Sequence, residues 1–185
     1  PVYINIDYCI PNPSSVNGNG ISNVRFGTGD NIVNNDTPKA FYTDCTDKVG
    51  DIEAGVISNV AITFETGTTY GTIIWVDLND NLVFEKSEIL YTGMSTAENP
   101  TTLNAEIFIP NTQERKNYYM RIGTAHTAFN SYINGTTTAA PNPCYSGSYA
   151  CFQDYTINLI DGPSCLCPTN LSATEDLPMR QTQVP

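Results

Sequence analysis

Apolar residues in this chain fall in short runs of alternating or continuous character, and the i, i+3, i+4 spacing of an amphipathic helix is hard to find. Runs rich in Val, Ile, Thr, Tyr and Phe, separated by turn residues, predict strands near 2–6 (VYINI), 22–26 (SNVRF), 56–65 (VISNVAITFE), 70–77 (YGTIIWVD) and 83–91 (VFEKSEILY). Further strands are predicted near 103–109 (LNAEIFI), 117–123 (NYYMRIG) and 152–160 (FQDYTINLI). "FETGTTYG" reads as a hairpin turn in which Gly67 supplies a positive φ. Eight or nine short strands with this punctuation predict an all-β fold. The expected form is an antiparallel β-sandwich of jelly-roll or immunoglobulin-like type, with long loops and disulfides.

Two stretches fit no strand. Residues 9–20, "CIPNPSSVNGNG", read as a long polar loop, and residues 124–150 as a longer one of the kind that is usually functional or disordered. After "IDGPSC" apolar content falls away. The expected organisation is one domain over 1–162, followed by a linker or the start of a downstream module over 163–185.

Composition narrows the function classes. Nineteen acidic against eight basic residues give a formal net charge of -11 over 185 residues. Neutralising a phosphate backbone needs clustered Lys and Arg, so nucleic acid is excluded as a partner, while divalent cations and cationic partners suit the balance. Six cysteines and few lysines point to an exported protein. No charged-then-apolar leader is present and no apolar run approaches 18 residues. A mature secreted or cell-surface segment without membrane insertion is expected. Sequons stand at Asn35, Asn134 and Asn170.

One stretch carries candidate chemistry. In "WVDLNDNLVFEKSE", Asp77, Asn79 and Asn81 alternate and Glu88 follows Asp77 at the distance that closes a D-x-[DN]-x-[DN]-G-x5-E calcium loop. Leu82 stands where that loop has glycine. The competing reading is an acidic hairpin whose Asp and Asn side chains cap their own turn. As a metal site it would be weak, with a dissociation constant of about 0.1–1 mM, and Asp154 could join it from the last strand.

Several segments together resemble the GEVED domain, a module of large secreted bacterial proteins, especially of the Bacteroidetes. The residues that carry the resemblance are Tyr8-Cys9, Ile21 to Gly27 (ISNVRFG), Tyr42 to Thr46 (YTDCT), Trp75 to Phe84 (WVDLNDNLVF), Tyr119 to Ile122 and Asp154-Tyr155-Thr156. Ala150, Cys151, Phe152 and Gln153 replace the family's Gly-Glu-Val-Glu, and Asn81 and Leu82 replace an Asp-Gly pair. The resemblance implies a secreted accessory module beside proteases, glycosidases or adhesins, and leads into a fibronectin-type or similar β-sandwich module. It does not specify a ligand.

Residues 124–150 hold His126, Phe129, Tyr132, Tyr145 and Tyr149 as candidate ligand contacts, because flat rings beside Asn and Thr suit sugar stacking or protein contact. Alternatively these rings pack on their own sandwich edge. His126 has no base or nucleophile at a recognisable spacing, and the carboxylate pairs Glu85/Glu88 and Asp44/Asp47 read as a solvated acidic face, not a glycosidase pair. No Gly-rich phosphate loop opens a helix. For the cysteines, a Cys144–Cys151 bridge closing a short loop is expected, with Cys9 joined to Cys45 or Cys165. The expected function is therefore non-catalytic. The chain reads as a calcium-stabilised module that binds a glycan or targets a substrate for an extracellular enzyme; the alternative is an adhesive or spacer module with a protein partner.

Overall fold

The computed structural model describes residues 7–16, 20–65, 69–96, 98 and 101–162. Within them the chain forms β1 (Ile21–Thr28), β2 (Asn31–Asp36), β3 (Tyr42–Glu53), β4 (Ile57–Phe64), β5 (Gly71–Val76), β6 (Ile89–Met94), β7 (Thr101–Phe108), β8 (Asn117–Ala125), α1 (His126–Ile133) and β9 (Ala150–Ile160). One sheet runs β2-β1-β4-β7 and the other β3-β9-β8-β5-β6. The expected β-sandwich is what forms. Its pairing is antiparallel except for β3 against β9, which is parallel. The predicted strand at 2–6, the Gly67 turn and the reading of 163–185 lie outside the described residues.

Alternation explains the main core. Val24 and Phe26 of β1, Val60, Ile62 and Phe64 of β4, and Ala105 and Ile107 of β7 face Ile74, Val76, Met120, Ile122, Tyr155 and Ile157 of the second sheet, all buried. Two strands escaped the sequence reading. β2 pairs with β1 through a Gly29-Asp30 turn, with Gly29 at φ 60°. A glycine at the first central position is what a type II′ hairpin requires. β3 is a polar edge strand with a register shift between Cys45 and Val49, so it shows no clean alternation.

The second sheet is covered on its far face as well. Ile73, Trp75, Phe84, Ala125, Phe129, Ala150 and Phe152 form a separate buried cluster there, beneath α1, Tyr8 and Tyr145. Strand β5 is consequently buried at every position, which is why GTIIWV reads as a continuous apolar run. Gly71 permits the contact: a Cβ there would lie 2.6 Å from the backbone of Phe129 and Asn130, so α1 sits directly on the strand.

Two expectations are corrected here. Residues 124–150 are not one loop, since α1 occupies their first third; Phe129, Tyr132 and Ile133 with Ala125 are in fact helically spaced. The run 83–91 is not one strand either: a 3-10 turn at Lys86–Glu88 precedes β6. The polar stretch from residue 7 to 16 is a strap across the far face. Asn12 and Ser14 donate backbone hydrogen bonds to Tyr145 and Gly147, and Ala150 donates to Ser15.

Candidate functional site

The strap, β3, β8 and the loop after β5 meet at one end of this covered face. Strand β5 continues for one residue, Asp77 N–H donating to Tyr119 O at 3.0 Å, and the chain then turns sharply. Asp77 Oδ1 accepts the Asn81 N–H (3.2 Å); Oδ2 accepts the Leu82 N–H (2.9 Å) and the Tyr8 hydroxyl (2.6 Å). Glu88 closes the loop from the other side. Its Oε1 accepts the N–H groups of Leu78 (3.0 Å) and Asn79 (3.3 Å), and its Oε2 that of Glu85 (3.0 Å). Asp80 and Leu82 take φ values of 59° and 65°. Leu82 thus adopts the sharp turn for which the calcium loop uses glycine, at a cost of about 1–2 kcal/mol for a residue with a Cβ.

Asp77, Asn79, Asn81 and Glu88 stand along one loop, and both carboxylates are buried. Neither has an ion-pair partner among the described residues. Burial, foremost, and the neighbouring Asp77 charge hold the Glu88 carboxyl above its usual range, although backbone N–H groups pull it down. Counting lone pairs, Asp77 Oδ1, Glu88 Oε2 and the amide oxygens of Asn79 and Asn81 each accept one hydrogen bond and retain capacity for another partner. Oxygen-only donors with residual capacity and uncompensated charge fit a hard cation such as calcium. Among the described residues no three His, Cys, Asp or Glu side chains are grouped to hold a metal, so the amides would have to contribute.

Asp154 does not belong to this set. Its carboxylate is held bidentately by Arg121, Nε to Oδ1 at 2.7 Å and Nη2 to Oδ2 at 2.6 Å, and Oδ2 also accepts the Tyr42 hydroxyl at 2.9 Å. With those partners Asp154 already has its counter-charge, and the expectation that it ligates metal is corrected. Arg121 is fully buried. Its guanidinium lies 4.8 Å from the Phe84 ring centroid and 5.8 Å from that of Tyr42, and Nη1 donates to Pro143 O at 2.9 Å. The pair therefore fastens the segment before Cys144 to the sheet.

The cysteines pair differently from expectation. Cys9 bonds Cys144, with Cα atoms 5.7 Å apart, while Cys45 and Cys151 are free and buried. The reason is alternation along β9: Ala150 faces the covered far side and Cys151 the inter-sheet core, so Cys151 points away from the strap. Cys45 also points into that core, where Asn35 Nδ2 donates to its sulfur at 3.3 Å. Burial raises both thiols, that of Cys151 up to about 11. Cys165 lies outside the described residues.

The five ring residues of 124–150 are not gathered on one ligand face. Phe129 is 1% exposed and packs edge-on against Trp75 and Phe152, so its assignment as a ligand contact is corrected to core. Tyr132 and Tyr145 pack partly buried on the same cluster. His126 is exposed, its ring edge toward Tyr70, and Tyr149 is exposed at φ 55°.

Sequence reasoning missed a groove beside the loop. A cleft of about 270 Å³ is lined by Tyr8, Tyr42 and Tyr119 with Asp7, Asp44 and Asp154. It shares Ile10 and Tyr42 with a neighbouring cleft of about 450 Å³, where Phe41, Val16 and Lys39 also contribute. Tyr8 stacks on Phe84 at 4.8 Å and tilts against Tyr119 at 4.9 Å. The signal was present: Tyr8-Cys9, Tyr42-Thr43-Asp44 and Tyr119 all stand in the motifs quoted above. Only folding brings them together.

These features define a disulfide-tied β-sandwich domain with an Asx-rich oxygen-lined loop locked to an aromatic face. Residues 71–158 match the GEVED domain, the family that the sequence motifs resemble. The strap, β1 and β3 motifs precede the matched residues. No curated protein matches the chain. Among the described residues no helix is long and apolar enough to cross a membrane.

Proposed function

We propose that this chain is a non-catalytic, calcium-stabilised binding module of a secreted multidomain protein, and that it directs a neighbouring extracellular enzyme to a glycan. The observation that carries the reading is the 77–88 loop: two buried carboxylates without a counter-charge hold one backbone arc in a turn that costs energy at Leu82. A cation there would relieve the repulsion and link metal binding to folding. Asp77, Asn79, Asn81 and Glu88 would hold it, and the ion would supply charge compensation alone. Secretion is supported by the Cys9–Cys144 disulfide, since such bonds persist in oxidising compartments. Glycan binding is supported by the exposed or half-buried rings of Tyr8, Tyr42 and Tyr119 beside carboxylates.

Thermal melts in calcium and in chelator test the metal. At a calcium concentration one hundred times the dissociation constant the gain is about 2.7 kcal/mol, and Asp77→Ala abolishes it. Equal melting temperatures across millimolar calcium would refute the calcium reading. A glycan array tests the ligand class. A protein contact instead of a glycan is favoured by Ile57 and Phe108, paired neighbours at 63% and 49% exposure on the opposite sheet.

A further inference from the structure

We infer that the groove beside the strap takes a glycan bearing protonated amines, with Asp44 receiving the ammonium group. The inference rests on the glycan reading above and names the ligand class. The groove is built before any ligand arrives. The hydroxyls of Tyr8 and Tyr42 are pinned at their inner ends to Asp77 and Asp154, which leaves the ring bodies oriented toward the cleft. Tyr119, 40% exposed, extends this surface, and the exposed Phe41 continues it into the adjoining cleft. Oriented rings offer the apolar face of a sugar a stacking platform at low entropic cost.

Charge then selects among sugars. Asp154 is neutralised by Arg121 and adds no net field. Asp44 uses Oδ1 on the backbone N–H and hydroxyl of Thr46, and has no basic partner among the described residues. A neutral sugar laid across the rings offers that carboxylate only uncharged hydroxyl donors, whereas an ammonium group gives it a charge-assisted hydrogen bond and sits against aromatic faces. Lys39 lies in the adjoining cleft, so the amine preference belongs to the Asp44 end. The net charge of -11 draws polycations to the molecule generally, so a control for that field is needed.

The test is calorimetric titration of the full chain with four oligomers of equal length: glucosamine, N-acetylglucosamine, glucose in β-1,4 linkage, and lysine. The glucosamine oligomer is expected to bind about tenfold or more tighter than its N-acetylated form. Asp44→Asn, which keeps an acceptor for Thr46, erases that preference at an unchanged melting temperature. Tyr119→Ala weakens glucosamine binding several-fold, and Glu106→Gln on the opposite sheet changes nothing. Equal binding of the acetylated or glucose oligomer overturns the amine preference and leaves the glycan reading standing. Lysine binding as tight as glucosamine, or no binding of any oligomer, overturns both.

Discussion

Removing the Cys9–Cys144 bond by a double Cys→Ser substitution acts first on the unfolded chain. The bond joins residues 135 positions apart, so it closes most of the chain into one loop. Loop-closure entropy for that span corresponds to about 5 kcal/mol at 25 °C, against about 2 kcal/mol for the short 144–151 loop that the cysteine spacing suggested. The native state loses little directly, because Asn12 and Ser14 still hold the strap by backbone hydrogen bonds and Arg121 still grips Pro143. Imperfect transfer of the entropic term brings the expected loss to about 3–5 kcal/mol, a fall of about 10–15 °C in melting temperature. Guanidinium unfolding should also show a larger m-value, since the uncrosslinked chain exposes more surface. Non-reducing peptide mapping must join the peptides containing Cys9 and Cys144, and iodoacetamide must leave Cys45 and Cys151 unlabelled until the protein unfolds. A loss below about 1 kcal/mol, or a recovered Cys144–Cys151 peptide, would refute the argument.

Phe129→Ala should destabilise by about 3–5 kcal/mol, because the ring is wedged among Trp75, Phe152 and Tyr145; a melting temperature within error of the parent would return Phe129 to the surface. Asp154→Asn leaves Arg121 charged and buried without its partner, with an expected cost of about 3–5 kcal/mol by denaturant titration. The Glu88 carboxyl lies above its ordinary value of 4.5, so in chelator its contribution is fully present below that value and is lost as pH rises through the folded-state pKa. Melting temperatures across acidic pH should show this fall, and Glu88→Gln should remove it; a rise with pH that depends on Glu88 would contradict the sign.

The β-sandwich was legible because each core strand is locally consistent. ISNVRFG, VISNVAITF and the strands around Met120 and Tyr155 alternate, and alternation survives without knowledge of neighbours. Strand β5 was legible for a different reason, since a continuous β-branched and aromatic run suits burial on both faces. The strands that escaped, β2 and β3, lie at sheet edges, where one side of the backbone faces no strand and polar residues carry no penalty. Helix α1 escaped because its eight residues lack a side-chain N-cap, and two turns give its helical spacing too few repeats to stand out from the loop around it.

The nearness of Asp77, Asn79, Asn81 and Glu88 on one turn was legible in the sequence, because they are close along the chain, while Tyr8 and Tyr119, which fix Asp77, reach the loop only through the fold. Disulfide partners, core rings and the groove were decided by tertiary structure. Whether Cys144 meets Cys151 or Cys9 depends on the face to which β9 turns residue 151, and that parity is set by register against β8. Phe129 became core, and Asp154 a partner of Arg121, for the same reason. Each is fixed by a strand or helix distant in sequence, and no local spacing encodes which distant face will arrive opposite it.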